Sequence, residues 1–144
     1  MKQAEKTAIL VSYGCWGYPF LEYLFRGWSH WSMALAGGIC FGLLGQISDL
    51  LREFRLPVRC VAGTAAILCV EFIFGCIFNL GMHLHVWDYS DEWFNLAGQI
   101  CIRYGIIWLF LSAPLILLAD QLKVEKKPKR TDPLPACKQR KMSI

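Results

Sequence analysis

Residues 70–93 read VEFIFGCIFNLGMHLHVWDYSDEW. A carboxylate, Glu71, stands inside an apolar run, and two histidines, two tryptophans and three acids follow that run. In a soluble protein such a run is a buried strand or a core helix. In a bilayer a mid-span glutamate is costly and therefore marks a place where something must compensate it.

Composition decides for the bilayer. Hydrophobic residues make up 56% of the 144-residue chain, and the mean hydropathy is +0.39. Four stretches, 8–25, 32–51, 57–80 and 94–119, approach the roughly 20 apolar residues a helix needs to cross the hydrocarbon. The fold class expected is therefore all-α, a polytopic membrane protein with a bundle of four transmembrane helices. Residues 1–122 form that domain. The first stretch follows Lys2 and Lys6 as a secretory signal would, but no small-residue cleavage site closes it and Glu22 and Arg26 come next, so it is read as a retained span. Residues 123–144 change abruptly to a polar segment with Pro128, Pro133 and Pro135 and no apolar periodicity, which predicts a basic, disordered tail.

Charge sets the orientation. Of the 15 lysines and arginines, all but Arg26 and Arg103 fall before the first stretch, at the link between the second and third (Arg52, Arg55 and Arg59, the last just inside the third), or in the tail. Under the positive-inside rule both termini are cytoplasmic, and the chain is a multi-pass protein of the cell membrane. The formal net charge of +4 is then a topology signal with some attraction to anionic lipid headgroups. Nucleic acid is not an expected partner, because the basic residues are not interleaved with aromatics on a folded surface. Membrane lipids are.

The seven cysteines show no C-x-x-C spacing and mostly lie in apolar runs, where cysteine behaves as a small hydrophobe, so no disulfide framework is expected. Ala34, Gly38 and Gly42, with Gly37 and Gly45 beside them, give the second span a small-residue face for close helix approach; Gly14 and Gly17 do so in the first. Pro19 and Pro114 should loosen their helices locally.

Depth answers the question raised by Glu71. If the third span ends near Leu80 and the fourth begins near Phe94, Glu71 and Arg103 each lie about 14 Å below the outer surface at about 1.5 Å per residue. The two charges are expected to pair there. Asn95, Gln99 and Arg103 would share one helical face, Asn79 would stand above Glu71, and Glu22 would join the layer with Arg26 four residues on. Glu22, Glu71, Asn79, Asn95, Gln99 and Arg103 thus form a candidate polar seam near the outer leaflet. Either it fixes helix register, or it lines a cavity for a solute, an anionic headgroup or a proton. Trp87, Asp88, Tyr89 and Ser90 read as a structural corner: the aromatics suit the headgroup layer, and Asp88 or Ser90 can cap the start of the fourth helix.

The segments EYLFRGWSHWSMALAGGICFGLLGQI, VEFIFGCIFNLGMHLHVWDYS and FNLAGQICIRYGIIW, in this order, resemble the bacterial membrane family labelled putative ABC-transporter type IV, or CmpB. More distantly they resemble the eukaryotic transmembrane protein 229 family. The resemblance covers about residues 14–122. It implies a transporter permease component acting on an unspecified solute or lipid.

The chain bounds that implication. It has no G-x-x-x-x-G-K-[ST] loop, so a separate ATPase subunit would have to bind nucleotide. Four short spans leave little room for a path within one copy, which points to a homo-oligomer or a second membrane subunit. No cofactor is expected. His83 and His85, with His30, Asp88, Asp91 and Glu92 in reach, are weak candidates for zinc, but they sit beside Trp87, Tyr89 and Trp93 as in an interfacial aromatic belt, and no metal site is assigned. Ser90 beside Asp88 lacks a nucleophile elbow, and no catalytic residue is assigned. A structural or regulatory membrane protein, or a membrane-embedded lipid-modifying enzyme, are the alternatives.

Overall fold

The computed structural model describes residues 2–122; the tail at 123–144 lies outside them. Four helices make the frame: α1 (Gln3–Arg26), α2 (Trp31–Leu50), α3 (Leu56–Phe74) and α4 (Ile102–Gln121). The α3 rod continues as a π-helical stretch, Gly75–Gly81, and a short antiparallel hairpin, β1 (Asn95–Leu96) and β2 (Ile100–Cys101), precedes α4.

Three of these rods, Trp31–Leu50, Leu56–Gly81 and Ile102–Gln121, are long and apolar enough to cross a membrane. The first helix has the length but is diluted by tyrosine, tryptophan and charge. It exposes Tyr13, Trp16, Phe20, Tyr23 and Phe25.

Local chemistry sets the boundaries. Glu5 accepts the Lys2 backbone N–H at 3.0 Å at the start of α1, and Gly27 in the left-handed conformation (φ 76°) ends it. The His30 ring caps α2 through the Ser32 amide at 3.3 Å. Pro57 sits in the first turn of α3, where its missing N–H costs no hydrogen bond. Pro19 and Pro114 lie inside α1 and α4.

Close approach of α1 and α2 fixes the bundle. Gly14 faces Gly37 so tightly that a methyl group on either would be driven into the other's backbone, and Gly38 stands against the Cys15 side chain. The core that follows includes Leu10, Met33, Leu44, Ile67 and Ile116, all nearly inaccessible.

The expected fourth span, 94–119, requires correction. Residues 94–101 are not helical. Phe94, Ala97 and Gly98 take positive φ values (53°, 51° and 68°), the Gln99 amide donates to Leu96 O at 3.0 Å, and Asn95 Oδ1 accepts the Gly98 amide at 3.0 Å. Two successive left-handed residues make a tight hairpin turn that matches the twist of its strands. Asn95 and Gly98 are turn residues, and the apolar neighbours hid them in a hydropathy reading.

Candidate functional site

Starting α4 at Ile102 moves every residue of that helix toward the surface relative to the depth expected from the sequence. Arg103 falls in its first turn, with its side chain 68% exposed, and pairs with Glu92 at 2.9 Å. The expected Glu71–Arg103 ion pair is not formed. Trp108, five residues further along, occupies the level of Glu71 instead.

Glu71 itself is 3% exposed. Its Oε1 accepts the Trp108 indole N–H at 2.7 Å and the Tyr18 hydroxyl, and the two donor rings lie 5.2 Å apart. Its other oxygen, Oε2, is buried without a hydrogen-bond partner among the described residues. The carboxylate is thus held on one oxygen by two neutral donors, and the other is as inaccessible as it is unpartnered.

There is room for entry. A cavity of about 260 Å3 opens among α1, α3, α4 and the 82–94 loop, with Glu71, Tyr18 and Trp108 at its buried end and Glu22, Arg26 and Arg103 among its other walls. Tyr89 and Tyr104, stacked at 4.5 Å, complete one side. Burial raises the Tyr89 hydroxyl pKa above the usual tyrosine range, and the nearby Glu71 carboxylate adds to this, so the wall stays neutral. Glu22 accepts from Arg26 at 3.0 Å and from Ser29 Oγ at 2.6 Å. Arg26 also donates to Val86 O, tying α1 to the loop, and lies 4.6 Å from the Trp28 ring.

The seam therefore divides into two structures. Glu22, Glu71 and Arg103 share the cavity; Asn79, Gln99 and Asn95 do not line it. Asn79 donates to Gln99 Oε1 at 2.8 Å and to Trp87 O at 2.9 Å, and accepts the Val86 amide at 2.7 Å. The Trp87 indole donates to Gln99 O at 2.9 Å. Together these bonds clamp the hairpin and loop onto the π-helical stretch. Gly75 leaves the space that Gln99 fills, since a Cβ there would meet the Gln99 side chain. Asn95 bridges Ser90 O and Glu92 O at 3.1 and 2.9 Å and braces the hairpin turn.

The corner at Trp87, Asp88, Tyr89 and Ser90 packs on that hairpin. The Tyr89 amide donates to Gly98 O at 2.8 Å, and the absent Gly98 side chain admits Ser90 and Asp88. Asp88 does not cap α4. Its carboxylate takes the Ser90 hydroxyl at 2.5 Å and the Ser90 amide at 2.9 Å in a local turn, and these bonds hold its pKa below the usual carboxylate value. Trp87 is buried and not an interfacial anchor, whereas Trp93 is exposed. His83 and His85 are exposed residues with positive φ, and His30 is used as a helix cap. No group of three or more His, Cys, Asp or Glu gathers for a metal among the described residues.

Hydropathy missed a second charged cluster at the opposite end of the bundle. Lys6, 1% exposed, pairs with Asp49 at 2.7 Å. Arg59 pairs with Asp120 at 2.6 Å, and Ser48 Oγ lies 2.7 Å from Arg59 and 2.6 Å from Asp120. From the sequence both bases read as charges outside the spans. Their acids at the ends of α2 and α4 were the available signal. For the cavity, the overlooked signal was Tyr18 and Trp108, aromatics whose polar tips need partners inside a bundle.

Residues 36–131, two thirds of the chain, match the family described as putative ABC-transporter type IV (ABC_trans_CmpB). No curated protein and no solved structure matches the chain.

Proposed function

This chain belongs to the putative ABC-transporter type IV family, and on that premise we propose that it is a multi-pass, permease-type component of a transporter in the cell membrane. In this reading all four helices span, with both termini and the α2–α3 link cytoplasmic. The antiparallel packing of α1 along α2, from Lys6–Asp49 to Gly14–Gly37, supports a fourth span, because a helix seated along a spanning helix crosses with it. The basic residues at the Lys6 and Arg59 end support the orientation.

The observation that carries the functional reading is Glu71: a nearly inaccessible carboxylate in the wall of a cavity of about 260 Å3, with one oxygen that has no partner among the described residues. We read that cavity as the recognition site for a solute or lipid near the outer leaflet. Energy comes from a separate ATPase subunit, since the chain has no phosphate-binding loop, and the site is completed as a pathway by a second copy or another membrane subunit.

The experiment is purification of the tagged full chain from native membranes in mild detergent, followed by identification of bound subunits and small molecules. A nucleotide-binding subunit held by wild type and by Glu71→Gln alike, with a small molecule held only by wild type, is the expected result. A chain that retains neither is a structural or regulatory membrane protein. The complete internal bonding of Asn79 and Gln99 is what favours that second reading for the clamp.

A further inference from the structure

Lipid and protein make different demands on a helix surface at mid-bilayer depth. The exposed large side chains of α3 and α4, such as Val61, Ile73, Ile106 and Phe110, carry no polar atom, as contact with hydrocarbon requires. α1 is built differently. Its 24 residues are long enough to span, yet it is not among the rods apolar enough to do so, and the cause is its outward face.

That helix is two-sided. Lys6, Leu10, Gly14 and Tyr18 recur every four residues and are buried against the bundle. The opposite face repeats with the same period as Ala8, Ser12, Trp16 and Phe20, with Tyr13 beside the ridge. Counted from Arg26 at about 1.5 Å per residue, Trp16 and Tyr13 lie about 15 and 20 Å down the helix, in the middle of a hydrocarbon core about 30 Å thick. Aromatic belts occupy the two interfaces; these two rings do not. Trp16 is 82% exposed and Tyr13 57%. Ser12 donates to Ala8 O at 2.9 Å and keeps its own oxygen free to accept, but among the described residues nothing bonds the Trp16 indole N–H or the Tyr13 hydroxyl. Polar tips left bare in hydrocarbon cost free energy that a protein partner removes and an acyl chain does not.

The face supplies what it lacks. In a two-fold pair about an axis along the membrane normal, α1 runs parallel to its own copy and equal levels meet. The Trp16 indole can only donate, and the hydroxyls of Tyr13 and Ser12, three and four residues below it, can accept. Ala8 and Ser12 are small enough for the two backbones to come close, and with Ile9, Tyr13 and Trp16 they border a groove of about 530 Å3. The area suffices as well. Tyr13, Trp16, Phe20 and Tyr23 are each more than half exposed, and at 150–250 Å2 per aromatic they offer roughly 400–650 Å2. Ile9 and Leu24 along the same face extend this toward the roughly 800 Å2 per partner of a stable dimer.

We propose that α1 is the interface of a parallel homodimer, crossing at Ala8 and Ser12, with the Trp16 indole of each copy bonded to a hydroxyl of the other. The inference rests on α1 crossing the bilayer, which is the four-span reading given above, and not on the cavity at Glu71.

The test places single cysteines in the full chain, its native cysteines replaced, and oxidises them in native membranes with copper phenanthroline. Disulfide-linked dimers at Ala8→Cys and Ser12→Cys, with little or none at Ile73→Cys and Ile106→Cys on α3 and α4, are expected. In liposomes, association is read by energy transfer between labelled copies. Trp16→Phe, at an exposed site that leaves the fold of one copy intact, removes two bonds per dimer and should weaken association about tenfold, at about threefold per interhelical hydrogen bond in a bilayer. Equal cross-linking at all four positions, unchanged association of Trp16→Phe, or a Ser12→Cys adduct with a different polypeptide overturns the proposal. A membrane-impermeant thiol reagent separates the two ways to fail. Ser12→Cys labelled from either side means that α1 lies in water, and the four-span reading falls with the dimer. Ser12→Cys neither labelled nor cross-linked removes the dimer and leaves the span standing.

Discussion

Trp108 donates its indole N–H to Glu71 Oε1 at 2.7 Å, so the carboxylate in the last turn of α3 is met by a neutral ring of α4 and not by a base. This relationship predicts which pairs of substitutions interact. Hydrogen bonds to a charged group contribute about 1.5–3 kcal/mol each, so Trp108→Phe and Tyr18→Phe should each lower thermal stability in detergent by about that amount. Glu71→Gln combined with Trp108→Phe should be non-additive in a double-mutant cycle. Glu71→Gln combined with Arg103→Gln should add, because Arg103 sits at the rim with Glu92. A coupling energy above about 1 kcal/mol in this second cycle would restore the ion pair that the sequence suggested.

A second prediction concerns helix spacing. At Gly14 an added methyl group meets the Gly37 backbone, which cannot rotate away, whereas at Gly17 the nearest atom is Phe41 Cζ at 3.9 Å. Gly14→Ala should cost about 1–3 kcal/mol through overpacking. Gly17→Ala should be neutral or stabilising by up to about 1 kcal/mol, since alanine is the better helix former. Melting curves of the two variants side by side check this; equal losses would mean that helix flexibility, and not the α1–α2 contact, is what these glycines serve.

The contrast between these two predictions also explains what the sequence could and could not reveal. Small residues at four-residue spacing make close helix packing legible, because the pattern is local and periodic. The burial of Glu71 was legible for the same reason. Its partner was not. Depth reckoned from Phe94 requires a helix that begins there; the Ala97–Gly98 turn, set among apolar residues, puts the helix start at Ile102 and exchanges Arg103 for Trp108 at the level of Glu71. Asn79 and Gln99 stand out in the sequence as polar positions in apolar surroundings, yet whether such residues face a cavity or each other depends on the loop between them, which carries no periodicity. Lys6 and Arg59 were misplaced by a different route: a base at a helix end scores as loop unless its acid on another helix is considered with it.

At the opposite end of the bundle, Arg59 and Asp120 join α3 to α4 at 2.6 Å with Ser48 of α2 between them. Arg59 is buried and Asp120 partly exposed, so removing one member should cost somewhat less than the about 3–5 kcal/mol typical of a fully buried pair. Arg59→Met should therefore destabilise strongly, and adding Asp120→Leu should recover a good part of the loss. Chemical or thermal unfolding in nanodiscs would measure both. No recovery in the double variant would show that Ser48, left without either partner, carries the contact.

The last prediction is topology. With α1 antiparallel to α2, the 27–30 link must lie on the face opposite Arg55, and the 82–94 loop on the same face as that link, if each rod crosses once. The positive-inside rule puts Arg52 and Arg55 in the cytoplasm, so Ser29 and Asp91 should be external. Single cysteines placed at Ser29, Arg55 and Asp91, in a background with the native cysteines replaced, would be treated with a membrane-impermeant thiol reagent on intact cells. Labelling at Ser29 and Asp91 but not at Arg55 is expected, and permeabilisation should then open Arg55. The reverse pattern would invert the orientation and move the Glu71 cavity to the inner leaflet. Labelling at Asp91 without Ser29 would mean that α1 and the link do not reach the outer face, leaving the three apolar rods as the only spans.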